Sequence, residues 1–188
     1  MPAFSIGALL RNRRAGHDKL IWFRPDLQAT ENFTLTSPAF EHGQSMPRKY
    51  QGKFRGPNIS PALAWTQPPA GTAELVLIAQ DPDVPIGKPA THVIALGIDP
   101  ALGSIPENGL SSPSPVAGLR YGKGAMGKLG WAGPLPPKGH GRHFYVFQFY
   151  ALDRALSLPA GCTLDQAIAA IKGHILGRAR LDGTYEIA

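Results

Sequence analysis

Three short segments of this chain combine ionisable side chains with stiff backbone. The first is Asp81-Pro82-Asp83-Val84-Pro85, which comes directly after the apolar run LVLIAQD (75–81). Pro82 and Pro85 restrict the turn, so a carboxylate is held at a strand end, where binding chemistry is often placed. The second is His92, at the head of HVIALGI (92–98). The third is GWAGPLPPKGHGRHFYVF (130–147), in which His143 and Tyr145 stand two residues apart and share one face of a strand. In that segment Gly133 permits close approach of a ligand to the backbone, and Pro134 belongs to a loop short of amide donors. A carboxylate beside an imidazole fixes its orientation and favours its charged form. If the segments converge, imidazoles, a tyrosine hydroxyl and loop amides suit a small oxyanion, phosphate above all. Each group also has a plain structural role: an Asp-Pro turn capping its own amides, a hydrogen-bonded histidine at a strand entry, a half-buried aromatic face. No serine or cysteine sits in the three motifs, so the set fits binding better than covalent catalysis.

These residues need strands to hold them. LVLIAQD and HVIALGI are short continuous apolar runs, the pattern of strands buried on both faces. HFYVFQFYAL (143–152) is aromatic on both alternating faces and belongs in the interior of a sheet. FTLTS (33–37) and TYEI (184–187) add strands near the two ends. One helix is expected over 163–181. Thr163 and Gln166 have capping-box spacing, and Leu164, Ile168, Ile171 and Ile175 recur on one helical face. Several strands and one late helix give a mostly β domain with peripheral helix. Residues 1–30 show mixed charge and weak periodicity and are set apart as an N-terminal arm of open role. Residues 31–188 form a single domain.

Composition agrees. The chain holds 22 glycines and 19 prolines, 41 of its 188 residues, against an average of roughly 12%. That excludes a bundle of long helices and indicates many loops. The net charge is +6 and the pI about 9.7. Residues 1–24 carry +4 of it, through Arg11, Arg13, Arg14, Lys19 and Arg24 against Asp18. The remainder is nearly neutral, except that no acidic residue occurs between Glu107 and Asp153, where Arg120, Lys123, Lys128, Lys138 and Arg142 fall. The basic arm is not interleaved with aromatics on any nucleic-acid module, so no specific nucleic-acid partner is expected. A single cysteine, Cys162, excludes an intramolecular disulfide framework and a cysteine-based zinc cluster. No stretch approaches the roughly 18 apolar residues of a membrane span. The short apolar run near the start precedes the arginines, the reverse of a secretory signal. A cytoplasmic location, with at most peripheral membrane contact, is the expectation.

GKGAMG (122–127) matches G-x-G-x-x-G, and GKGAMGK (122–128) matches the start of a phosphate-binding Walker loop. Both need a buried strand before them and a helix after, because the helix N-terminus supplies the anion field. SSPSPVAGL lies before it and LGWAGPLPP after, and neither serves. The segment reads as a glycine loop whose lysines face water. Neither H-E-x-x-H nor G-x-S-x-G occurs.

The same motifs carry a family resemblance. LTSPAFEHGQSMP (35–47), GPNISPALAWTQPPAGTAELVLIAQDPDVP (56–85), THVIALGI (91–98), GWAGPLPPKGHGRHFYVFQFYALD (130–153) and GTYEI (183–187) resemble, in order, the phosphatidylethanolamine-binding proteins, in particular the bacterial Raf-kinase-inhibitor-like branch. The resemblance spans 35–187. It implies a large antiparallel sheet packed on a smaller one, with peripheral helices and a small anion pocket at one end. It also implies pocket residues at Asp81, Pro85, His92, Gly133, Pro134, His143 and Tyr145, and a cis peptide at Val84-Pro85. Trp131-Ala132 replaces the family's usual Tyr-Gly, Leu135 a common Cys, and Gly97 a frequent Asn.

The function expected from residues and resemblance together is non-enzymatic binding of a small phosphate-containing ligand, a phospholipid headgroup, phosphopeptide or metabolite, without cofactor or metal. One alternative is a protein inhibitor or signalling module that docks onto a partner enzyme such as a kinase or protease through the basic 120–142 loop, including Lys123 and Lys128. Another is a hydrolase using Asp81 with His92 or His143 to activate water. Bacterial members of the family suggest a homodimer.

Overall fold

The computed structural model describes residues 6–188. Among the described residues eight strands form two antiparallel sheets. The larger sheet has the order β6-β4-β3-β7-β8, with β3 at Glu74–Asp81, β4 at Ala90–Ile98, β6 at Arg120–Tyr121, β7 at His143–Leu152 and β8 at Ile175–Tyr185. The smaller has the order β1-β2-β5, with β1 at Leu35–Thr36, β2 at Leu63–Trp65 and β5 at Ser104–Ile105. Two helices accompany them, a single turn α1 at Ile6–Leu9 and the amphipathic α2 at Leu164–Ile171.

The central strand explains its own composition. Leu75, Leu77 and Ala79 point from β3 into a core shared with the small sheet, where Leu35, Leu63, Trp65 and Ile105 meet Phe147 and Phe149. Val76 and Ile78 point the other way, into a second core with Val146, Tyr150, Leu20, Ile21, Trp22, Leu27 and the apolar face of α2. Both faces are covered, so the run shows no apolar–polar alternation. Part of the second cover comes from residues 20–27, where Ile21 also donates its backbone N–H to the buried Gln80 side chain at 3.1 Å. Arg178 donates to the Trp22 carbonyl at 2.7 Å and lies over the Trp22 ring. As expected, β7 lies inside the sheet, between β3 and β8.

The expected helix over 163–181 is shorter than its periodicity indicates. Thr163 and Gln166 form the capping box, but α2 ends at Ile171, and Gly173 turns the chain with φ 78°. Residues 175–185 form β8 instead. Their true signal has period two: Ala179, Leu181 and Tyr185 enter the inter-sheet core, while Arg178, Arg180 and Asp182 point away. Ile175 falls on the helical face of the preceding residues by coincidence. The expected final strand at 184–187 is the end of β8, which stops at Tyr185.

Two-sided burial of β3 has a direct test. Leu77→Ala and Ile78→Ala should each lower unfolding free energy by about 2–5 kcal/mol in denaturant titrations, although neighbouring residues face opposite sides. A strand with one solvated face would leave one of the pair nearly silent.

Candidate functional site

The ends of β3, β4 and β7 meet at one end of the large sheet. There a pocket of about 180 Å³ opens, with Asp81, His92, His143 and Tyr145 at its polar floor. Gly133, Leu135, Pro136 and Pro137 form one wall, and Lys53, Phe54, Ala125, Met126 and Lys128 form another. Five of the seven expected residues, Asp81, His92, Gly133, His143 and Tyr145, thus face one cavity. Pro85 and Pro134 are not on its lining. The expected cis bond at Val84–Pro85 is absent; among the described residues the cis peptide is at Ser112–Pro113.

Asp81 is 2% exposed. One carboxylate oxygen accepts the backbone N–H of Asp83 at 2.7 Å, and the other pairs with His143 Nδ1 at 2.7 Å. His143 is fully buried, and its Nε2 lies 2.7 Å from Nδ1 of His140. Both ring nitrogens of His143 are therefore occupied, and the ring offers the pocket only carbon. His140 in turn directs Nε2 at the carbonyls of Leu10, at 2.9 Å, and Arg13, at 3.1 Å. Asp83 faces away from the pocket. It accepts from Arg14 at 2.7 Å and from the Phe144 amide at 2.8 Å, and lies 3.3 Å from His17 Nε2.

His92 reaches the floor through a β-bulge. The β3–β4 register steps from Ala79↔Val93 to Gln80↔Thr91 and leaves His92 unpaired. Strict alternation from Val93, which faces the inter-sheet core, would turn His92 to the opposite face. The bulge re-aims it beside Tyr145, with ring centroids 4.9 Å apart in an edge-to-face contact. His92 Nδ1 bonds the Ala132 carbonyl, and a carbonyl only accepts, so Nδ1 carries the ring's proton. Burial, partly opposed by Asp81, pushes the His92 pKa below the usual histidine value. Nε2 is therefore a lone pair, buried and without a partner. The Tyr145 hydroxyl is also buried and makes no hydrogen bond of good geometry, although it lies near the Asp81 carboxylate and the Leu135 backbone; burial, reinforced by Asp81, holds its pKa well above the ordinary phenol value.

The loop wall is fixed by Asn58, which no motif in the sequence singles out. Its side chain donates to the Trp131 carbonyl at 3.1 Å and accepts from the Gly133 amide at 2.8 Å, from a left-handed backbone with φ 60°. The Ala132 amide is also engaged, donating to the His92 carbonyl at 2.9 Å. The amides of 132 and 133 are thus spent inside the protein. Glycine at 133 is required because a Cβ there would overlap the carbonyl of Tyr50, not because a ligand fills that space. The GKGAMG segment supplies Ala125 and Met126 to the pocket wall from a single 3-10 turn. Lys123 is exposed, as expected of that loop, but Lys128 is half-buried, lines the pocket and lies over the Phe54 ring.

The small, preformed, partly polar pocket at the sheet end is the candidate ligand site of this two-sheet β domain. The chain belongs to the phosphatidylethanolamine-binding protein family, whose profile matches residues 36–186. A phosphatidylethanolamine-binding protein homologue from Chlamydia trachomatis superposes with a TM-score of 0.75 at 35% identity, covering 83% of this chain and 98% of that one. Escherichia coli YbcL, described as a member of the mammalian family, gives a TM-score of 0.77 at 25% identity over 83% of this chain and 99% of its own. LppC of Mycobacterium tuberculosis is 40% identical over 163 residues, 84% of this chain and 74% of that protein. Family membership makes binding, in general, the role of the domain. Among the described residues no helix is long and apolar enough to cross a membrane. The name of LppC classes it as a candidate lipoprotein, so a cytoplasmic location is not a property shared by name across these relatives.

The construction of the site can be tested in two ways. Asn58→Ala strands the Trp131 carbonyl and the Gly133 amide, and should cost about 1–3 kcal/mol in thermal or denaturant unfolding. The neutral, buried His92 gives stability a pH dependence of fixed sign. The unfolded chain binds a proton near the ordinary pKa of about 6.5, while the native chain resists it. His92 therefore contributes stability above that pH and loses it as the pH falls. The acid-side decline in Tm should be shallower in His92→Gln than in the unaltered protein.

Proposed function

We propose that the pocket binds a small phosphate-type anion, with an organic group attached to the phosphate, and performs no chemistry on it. The observation that carries this reading is the pair of unpartnered polar atoms on the floor, Tyr145 Oη and His92 Nε2. Burying both without partners costs free energy that a bound ligand would recover. Their chemistry is complementary. The tyrosine hydroxyl donates to a phosphate oxygen, and the histidine lone pair accepts from a P–OH. A hydrogen phosphate or a monoester carrying one proton presents both groups on one tetrahedral centre. Lys53 and Lys128 on the wall add attraction for the anion.

The organic substituent is suggested by the rim. Phe54 is 76% and Met126 81% exposed, both line the pocket, and Lys128 lies over the Phe54 ring. Exposed apolar side chains beside a polar floor suit a phosphoester better than a bare ion. Covalent catalysis through a hydroxyl or thiol nucleophile is disfavoured by the lining itself, which among the described residues contains no serine, threonine or cysteine. Of the two histidines a hydrolase would use to activate water, His143 has both nitrogens engaged, which leaves His92 Nε2 as the base of that alternative.

The test is calorimetric titration with phosphoethanolamine and with inorganic phosphate. Tyr145→Phe should weaken binding of both by about tenfold or more, the value of a hydrogen bond to a charged group. Phosphoethanolamine should bind more weakly as the pH rises through its second pKa of about 6, because the dianion has no proton for His92. Inorganic phosphate keeps a P–OH there and should be less affected. No binding by the unaltered protein at millimolar ligand, or equal binding by Tyr145→Phe, would overturn the reading.

A further inference from the structure

An anion pocket with a carboxylate in its floor presents a contradiction. Asp81 lines the cavity, and an uncompensated negative charge there would repel phosphate. The cations nearest to this end of the sheet do not cancel it. Arg14 is committed to Asp83, and Lys53 and Lys128 stand on the wall. The chain of hydrogen bonds behind Asp81 supplies the missing charge.

The proton count is set by the partners. The carbonyls of Leu10 and Arg13 only accept, so His140 Nε2 carries a proton. With Asp81 ionised, its carboxylate, already accepting the Asp83 amide, accepts again from His143, so His143 Nδ1 carries a proton. The bond between His140 Nδ1 and His143 Nε2 holds one more. Three protons on four ring nitrogens give the histidine pair one positive charge, whichever ring carries the middle proton. Asp81 and the two imidazoles together are neutral.

We propose that His140, held by the carbonyls of Leu10 and Arg13, is a charge-compensating positioning residue for the pocket: it keeps a proton behind His143, so that Asp81 is neutralised from the rear and an anion is accepted in front. The proposal rests on the phosphate reading above. It also assigns a role to the basic N-terminal arm. Residues 6–17 are the back wall of the site. Gly7 packs so tightly on the 138–140 backbone that a Cβ would overlap the Lys138 carbonyl and come within 2.9 Å of the His140 amide. The Ala15 and Gly16 amides donate to the carbonyls of Val84 and Pro82, both at 2.9 Å, and Arg14 pairs with Asp83 at 2.7 Å. The arm thus grips the 82–84 turn and His140 together. His140 touches no ligand and acts through His143 and Asp81.

Two variants of the full chain separate charge from packing. In His140→Leu nothing at that position can carry a proton or accept one from His143 Nε2, so no partner holds a second proton on His143. Asp81 is then uncompensated, and inorganic phosphate affinity by calorimetry should fall at least about tenfold. In His140→Gln the amide NH2 can donate to the carbonyls of Leu10 and Arg13 while its oxygen accepts from His143 Nε2, which keeps the middle proton on His143. The charge survives, and affinity should stay within about threefold of the unaltered protein. A second readout needs no ligand and would not follow from a merely structural role. Nitrogen-15 imidazole spectra of the unaltered protein should show three protonated nitrogens among the four of His140 and His143; His140→Gln should leave His143 protonated on both nitrogens, and His140→Leu on Nδ1 alone. If the unaltered protein binds no phosphate, the functional reading fails while these spectra still decide the proton count. A neutral histidine pair in the spectra, or unchanged phosphate affinity in His140→Leu, would overturn the proposal.

Discussion

Burial of the Asp81 carboxylate is the constraint that dictates the rest of the site. A carboxylate 2% exposed must have its acceptor sites filled. The Asp83 amide and His143 Nδ1 fill them, and that turns the imidazole edge away from the cavity. The other nitrogen of His143 is then buried and needs a partner of its own, which His140 provides. His140 is buried too and needs an acceptor, which it finds in the carbonyls of Leu10 and Arg13. Each requirement passes to the next group until it reaches backbone that accepts and asks nothing further. Docking of the N-terminal segment and the state of the pocket floor are therefore one problem with one solution.

The opposite side of the floor is built by leaving requirements unmet. A bulge brings His92 onto the pocket face, and the Ala132 carbonyl takes its proton-bearing nitrogen, leaving the other empty. Tyr145 is placed by plain alternation from His143, and its hydroxyl is also left without a partner. The wall beside them does not adapt to help: Asn58 pins the backbone at 131 and 133, and Pro134, Pro136 and Pro137 stiffen the loop beyond it. A rigid wall leaves little ordering to be done on binding, which favours affinity for a small ligand.

Where the sequence is legible, the reason is local periodicity. Asp81 ends an uninterrupted apolar run, and His143 and Tyr145 are two apart on a strand, so their common face is fixed by the backbone. The mostly β class is legible from the same runs, whereas the two-sheet architecture follows from the family resemblance. His92 is legible as a polar group at a strand entry, but not its direction, because a one-residue bulge reverses the face and leaves no mark in composition. The 163–181 segment misleads because Ile175 continues a helical repeat past Gly173, while the alternation of Arg178, Arg180 and Asp182 with Ala179 and Leu181 gives the strand. Asn58 and His140 are invisible for a different reason. The partners of Asn58 lie 73 and 75 positions away, and His140, although its ring meets His143 three positions on, finds its acceptors 130 and 127 positions away. Gly133 is noticed for flexibility beside a ligand, yet its reason is the neighbouring Tyr50 carbonyl.

The charge of the chain divides by location. Of the basic arm, Arg14 is paired with Asp83, Arg24 with Asp26, and Lys19 donates to the Gly87 carbonyl. These three cations hold the arm and its own turns, while Arg11 and Arg13 are exposed. No arginine among the described residues lines the cavity, and its two lysines lie on the wall. A site that relied on exposed lysines would weaken steeply with salt, since exposed charges are screened over a Debye length of about 8 Å at physiological ionic strength. A floor made of a hydroxyl, an imidazole lone pair and an internally neutralised carboxylate is buried and far less screened. Most of the net charge of +6 therefore lies in the arm, +4 of it in residues 1–24, and the selectivity proposed for the pocket rests on its buried floor and not on that excess.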